Sequence, residues 1–236
     1  MFDTHVMFAN IVKIDGGVNN GLKWRHVFKG VLTPLHSEKQ MAGVRQFDEN
    51  LALDKALALF WQKGYAATSM QELAEATGVQ RGSLYNAYGD KQTLFLRVFD
   101  VYRERFVGQM RVALDKPKLR DALRGFFSCV ITSMTTGTPT RGCLSTKTAV
   151  GTEDLDGPMR AALKALLDDI EQVLFDRLSR EDQQAQPAEL ALPPRQAARL
   201  IVTFTRGLVV VERVYQDEKR LRTVADSLIA VLLGTQ

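Results

Sequence analysis

The chain has 236 residues, 45% hydrophobic and 25% charged, which excludes a collagen-like or wholly disordered protein and allows a core without metal or disulfide staples. Cys129 and Cys143 are too few for a disulfide framework or an all-thiolate zinc site and point to a reducing cytoplasm. All three histidines (His5, His26, His36) precede residue 41, so histidine-based catalysis or metal binding is not expected beyond it. The net charge of +4 suggests a polyanionic partner. Residues 1–40, with five basic and three acidic side chains, carry half of it.

Residues 1–40 hold turn signals, Gly16-Gly17, Asn19-Asn20-Gly21 and Thr33-Pro34, and no sustained helical stripe. The segment up to residue 44 is expected to be an N-terminal extension, either a mobile arm or the product of a start assigned too early. From Phe47 the period is helical. Ala52, Ala56, Leu59 and Phe60 mark one face of a helix from near Asp48 to Gly64. A short helix follows, capped through Thr68 to Gln71 or through Ser69 to Glu72, with Met70, Leu73 and Ala74 apolar and Gly78 as its stop. A second short helix spans Arg81 to Asn86. Gly89-Asp90 then opens a long helix whose stripe is Leu94, Phe95, Val98, Val101 and Tyr102.

Pro117 ends that helix. The spacing predicts further helices over Leu119 to Met134, from near Cys143, from Gly157-Pro158 onward, over Arg195 to Tyr215 and over Leu221 to Leu233, with a polar linker at Gln183 to Pro194. The fold class is therefore all-α. The longest clean apolar run near the C-terminus, Leu228 to Leu233, is far short of the roughly 20 residues that span a bilayer, so no membrane partner is expected.

Two short helices around a glycine turn, with Val79 inside it, describe a helix-turn-helix. In such a unit the first helix braces the second, whose N-terminal side chains reach base edges in the major groove of double-stranded DNA. Gln80, Arg81, Ser83 and Asn86 are the candidate readers, Leu84 is the apolar anchor, and Gly82 leaves the helix surface flat for close approach.

The stretch Ala56 to Phe95 resembles the N-terminal domain of the TetR family of bacterial transcriptional regulators. Phe60, Gly64, Tyr65, Thr68, Ala74, Gly78, Val79, Leu84, Tyr85, Tyr88, Lys91 and Leu94 carry the likeness, and Thr140 to Leu144 (TRGCL) looks like one branch of the family. The resemblance implies a three-helix DNA-binding domain over residues 45–93, joined by the long helix to an all-helical effector-binding and dimerisation domain over 94–236. It implies DNA contacts at Thr68, Ser69, Gln80, Arg81, Gly82, Ser83, Tyr85, Asn86, Tyr88 and Lys91, with Thr68, Tyr85, Tyr88 and Lys91 on the phosphate backbone. Ala87 departs from the family's frequent His and Ala52 from its larger aliphatic residue. The segment 45–93 is not basic, with five basic and six acidic residues.

The resemblance further implies an apolar cavity for a small, hydrophobic effector, with Phe126, Phe127, Val130, Met134, Cys143, Leu144 and Met159 as candidates and Thr132, Thr135 and Thr146 nearby. Ordinary core packing is the competing reading of each. Cys143 is either a redox sensor at a helix start or a small buried thiol. The last two helices are apolar on more than one side and Gly207 lies inside the first, so a homodimer face is expected there, at Phe204, Gly207, Leu208, Val211, Leu228 and Leu232. The whole reads as a ligand-responsive repressor on a palindromic operator, with no cofactor, metal or catalytic residue. The rivals are a helical enzyme or small-molecule carrier, and an interaction module whose helix-turn-helix is vestigial.

Overall fold

The computed structural model describes residues 47–152, 155, 157–180 and 190–234; the expectations for residues 1–44, and most of the 183–194 linker, lie outside them. All regular structure among the described residues is helical. In chain order the helices are α1 (Glu49–Lys63), α2 (Met70–Thr77), α3 (Arg81–Tyr88), α4 (Lys91–Leu114), α5 (Leu119–Thr135), α6 (Leu144–Gly151), α7 (Gly157–Leu178), α8 (Pro194–Tyr215) and α9 (Glu218–Leu233). None is long and apolar enough to cross a membrane.

The local chemistry sets the boundaries. Asp48 caps α1 by accepting from the Leu51 N–H, and Gly64 ends it at φ 84°. Ser69, not Thr68, caps α2: its hydroxyl accepts from the Glu72 N–H while the Glu72 carboxylate accepts from the Ser69 N–H, the second of the two expected registers. Gly78, in the left-handed conformation at φ 72°, stops α2 with its N–H on the Ala74 carbonyl. Asp90 caps α4 by accepting from the Thr93 N–H. Asp217 does the same for Arg220, so α9 begins at Glu218, three residues before its first buried apolar residue, Leu221.

α4 is the spine. Its 24 residues span about 36 Å at the usual rise of about 1.5 Å per residue. The first half packs on α1, where the Phe95 ring meets Phe60 edge-on at 5.0 Å, and Arg105 ties the two helices through Asp54. The second half packs between α5 and α7. α7 lies against α8, and α9 closes against α5 and α8. At the α4–α5 turn a Cβ on Gly125 would stand 2.5 Å from the Ala113 carbonyl oxygen, a distance no side chain tolerates, so glycine is required there. Arg177 is buried at the same corner and donates to the carbonyls of Lys116 and Pro117, capping the α4 exit.

Candidate nucleic-acid interface

α2 and α3 meet at an apolar seam of Met70, Leu73, Val79, Leu84 and Tyr88, all buried. That seam turns the opposite face of α3 to solvent, where Gln80, Arg81, Gly82, Tyr85 and Asn86 are exposed and Ser83 is half-buried. Gln80 sits at the N-cap position of α3 but makes no side-chain cap, which leaves its amide available. Arg81 lies along Tyr85, one turn ahead, with Nη2 3.4 Å from the phenolic oxygen and the guanidinium 5.4 Å from the ring centroid.

Three of the residues expected on the phosphate backbone are placed differently from the expectation. Thr68 is 1% exposed, and its hydroxyl donates to the Gly64 carbonyl at 2.7 Å, holding the α1–α2 turn. Ser69, the cap, is the exposed residue at that helix start. Tyr88 is 7% exposed and belongs to the core between α3 and the body, because its position four residues after Leu84 puts both on one face. Lys91 is half-buried, with Nζ donating to the carbonyls of Tyr65 (3.1 Å) and Thr68 (2.9 Å) and lying over the Tyr65 ring at 4.4 Å. Burial pulls its pKa down from the ordinary lysine value. Of the three ammonium protons two are engaged by the turn, leaving one beside the α2 N-terminus. Lys55 caps the far end of α2 through the Thr77 carbonyl and Lys63 is paired with Glu72, so Arg81 is the exposed cation of the reading helix.

All seven expected effector residues are buried; Val130, Met134 and Cys143 line a void of about 10 Å³, room for about one water, shared with Tyr102, Phe106 and Arg206, and Phe127 lines a separate groove between α5 and α9. Phe126, Leu144 and Met159 are ordinary core. Arg206, which periodicity gave no reason to select, makes the cavity part-polar rather than purely apolar. Between this cavity and the head runs a set of contacts that sequence reading missed. Trp61, in the last turn of α1, donates its indole N–H to the Gly142 carbonyl at 2.9 Å. Lys147 on α6 donates to the carbonyls of Trp61 and Gln62, and the Arg141 guanidinium lies 3.8 Å over the Trp61 ring. No local signal marks a pairing across 81 residues.

On the last two helices the expected face is corrected at two positions. Leu208 (3% exposed) and Leu232 (0%) point into the protomer core. Phe204, Val211 and Leu228 are half-buried and Gly207 is exposed. The outward apolar residues are Leu200, Val210 and Val214 on α8 with Val224 and Val231 on α9. They lie at helical spacing on one side, interrupted by Gly207, where an added Cβ meets nothing within 4 Å of the protomer. Among the described residues no group of three His, Cys, Asp or Glu could hold a metal.

A short bracing helix, an exposed polar reading helix and a helical body with an outward apolar stripe define the class of two-domain helix-turn-helix regulators. The family of bacterial regulatory proteins known as tetR matches residues 52–98, and the tetracyclin repressor-like C-terminal domain matches residues 120–228. The chain belongs to the TetR family. It is 36% identical over 108 residues to the HTH-type transcriptional repressor ComR of Escherichia coli K12, a match covering 45% of this chain and about half (51%) of ComR's length. It is 25% identical over 189 residues to the uncharacterised HTH-type regulator YezE of Bacillus subtilis, covering 80% of this chain and 97% of YezE. Among solved structures, a cysteine mutant of the TetR family regulator CifR in complex with 26-bp double-strand operator DNA superposes with a TM-score of 0.68 at 26% identity. That match covers 79% of this chain and 98% of CifR.

Proposed function

We propose that the protein is a transcriptional repressor that binds a palindromic operator as a homodimer in the cytoplasm and lets go when a small effector occupies its helical body. The observation that carries this reading is the polarity of α3: Leu84 and Tyr88 are buried against the head while Gln80, Arg81, Tyr85 and Asn86 face outward from the same two turns. Gln and Asn suit adenine edges and Arg suits guanine. Ser69, Tyr85 and Lys91 act on phosphates, and Gly82 and Ser83 allow close approach. Residues 45–93 serve as the reading head and 94–236 as the effector and dimer body. The stripe of Leu200, Gly207, Val210, Val214, Val224 and Val231 pairs with its copy. Two heads on one two-fold axis meet half-sites about one DNA turn apart, or somewhat more.

The relatives above are named as regulators, which removes the ground for a helical enzyme. The test is retention of a fragment from the protein's own promoter region at fixed salt. Arg81→Ala should relax sequence preference by about 1–3 kcal/mol at one base position per half-site. Equal retention of specific and scrambled fragments by the unaltered protein would overturn the reading.

A further inference from the structure

Glu212 stands in the last turn of α8 and is 1% exposed, yet neither carboxyl oxygen has a hydrogen-bond partner among the described residues. Its place in the helix adds to the cost. A negative side chain is unfavourable beside the unpaired carbonyls of a helix C-terminus, and burial removes the water that would solvate it. Native interiors leave few polar groups in that state, and those that persist call for a reason. No proposed DNA contact uses this one.

The surroundings supply a reason. Arg206 and Val209, earlier on the same face of α8, look onto the start of α6: Arg206 donates to the Ser145 hydroxyl at 3.0 Å, and Val209 lines a void with Gly142 and Cys143. Glu212 continues that face by one turn. Lys147, on α6, donates to the carbonyls of Trp61 and Gln62 at 2.8 and 3.2 Å, which are orphan acceptors at the C-terminus of α1. Burial lowers the Lys147 pKa and the Arg213 charge lowers it further, while the Cys143 and Glu212 side chains raise it. Glu212 is therefore near enough to act on the Lys147 ammonium, but the two form no hydrogen bond. One cation has two sets of acceptors, and this arrangement satisfies the carbonyls and leaves the carboxyl group without a partner.

We propose that Lys147 and Glu212 form a two-position latch. In one position Lys147 holds the C-terminal turn of α1, as in this structure. In the other its flexible stem swings the ammonium to the Glu212 carboxylate, and the turn is freed. The move exchanges two bonds to neutral carbonyls for one pair between full charges, a balance that a small bias can tip. Glu212 is a positioning residue: it acts through Lys147 on the turn that carries Trp61. Val210 and Val214 lie on the opposite side of the same stretch of α8 and are exposed on the outward stripe. A shift of α8 against a second copy of the chain thus moves Glu212 relative to Lys147, which links contact between protomers to the hold on α1. This consequence for DNA rests on the proposed operator-binding function, whereas the latch does not.

Hydrogen–deuterium exchange of the full chain, read over residues 60–64, tests the latch, because exchange there follows the fraction of time the turn is free. Glu212→Met removes the competing acceptor and should slow exchange at least about threefold, whereas Lys147→Met should speed it by about tenfold. Once Lys147→Met is in place, adding Glu212→Met should change exchange by less than about 1.5-fold, because the carboxyl group acts only through the lysine. An equal effect of Glu212→Met with and without Lys147, or no effect in either, overturns the latch. Should Glu212→Met fail to fold, Glu212→Gln makes the same comparison with the shape kept. Thermal melting is the second readout: either Glu212 variant should melt a few degrees higher, since it relieves a buried unpartnered carboxyl group. A lower melting temperature would mean that the group already has a partner, and overturns the latch as well. Saturating DNA from the protein's own promoter region should slow the same exchange at least about threefold in the unaltered protein and less in Glu212→Met. Equal slowing in both overturns the link to DNA. No binding refutes the operator-binding function and leaves the exchange result to stand by itself.

Discussion

Lys91 performs two tasks that a single substitution separates by readout. In Lys91→Met the aliphatic stem keeps its place along Tyr65, but the carbonyls of Tyr65 and Thr68 lose their donor. For half-buried, charge-assisted hydrogen bonds the loss is about 1–2 kcal/mol after allowance for solvent screening, which lowers the melting temperature by a few degrees in a chain of this size. The third ammonium proton, beside the α2 N-terminus, is the one available to a phosphate. Each phosphate contact contributes about 0.9 to the slope of log affinity against log salt. A dimer loses two such contacts, so the slope should become shallower by about 1.8, and the mutant's relative deficit should shrink by roughly tenfold between 50 and 200 mM salt. Fluorescence anisotropy with a labelled operator across that salt range measures the slope, and a thermal melt measures the fold. A lower melting temperature with an unchanged slope would show that Lys91 only braces the turn and refute its phosphate role.

Three further outcomes follow from the packing. Gly207→Leu meets open space in the protomer and gains up to about 1 kcal/mol of helix propensity, so the monomer should not be destabilised while dimer dissociation rises at least about tenfold; sedimentation equilibrium showing an intact dimer would move the interface elsewhere. Glu72, whose pKa is lowered to about 2 by the Lys63 side chain and then by the Ser69 N–H and hydroxyl, supports the α2 cap above the ordinary carboxylate value and loses that support as pH falls from about 4.5 towards 2. Acid titration of helicity should show this step, and Glu72→Gln should lack it. Trp61→Phe removes the donor to the buried Gly142 carbonyl and should cost about 1–3 kcal/mol in denaturant unfolding, with faster amide exchange over residues 141–147; no change in either would mean that the α1–α6 contacts carry no energy.

The head was legible because each boundary depends on a residue type with one physical job: Asp48 and Asp90 as caps, Gly78 as a left-handed stop, Leu84 as an anchor facing inward. Helix periodicity also located most of the body, and Leu123, Phe126 and Ile131 are buried where a 3.6-residue stripe puts them. It failed where two apolar faces share one helix. Leu208 and Val210 are equally hydrophobic, yet one is 3% and the other 60% exposed, because the choice is made by where α7, α5 and α9 pack against α8. Tyr85 and Tyr88 pose the same problem in the head, where three residues of helical rotation separate a surface phenol from a buried one. The Trp61 and Arg206 contacts lay beyond any local pattern. They pair residues 63 to 86 positions apart, and only the folded chain brings them to the same loop.

The near-neutral head carries a quantitative consequence for how the protein finds DNA. Lys55 and Lys63 are engaged by the Thr77 carbonyl and by Glu72, so each described head offers Arg81 and Lys91 as its principal charges towards the duplex. Four such charges in a dimer predict a salt slope of about −3.6 and an affinity loss of roughly 150-fold between 50 and 200 mM salt. A regulator making ten phosphate contacts would lose roughly 10⁵-fold. Specificity therefore has to come from the placement of Gln80, Arg81 and Asn86 on two coupled heads rather than from bulk attraction. This makes binding sensitive to small changes in head spacing, the quantity that a displaced α1–α6 contact would alter. A measured slope near −8 would refute the argument, because it requires about nine phosphate contacts per dimer, roughly twice what Arg81 and Lys91 supply.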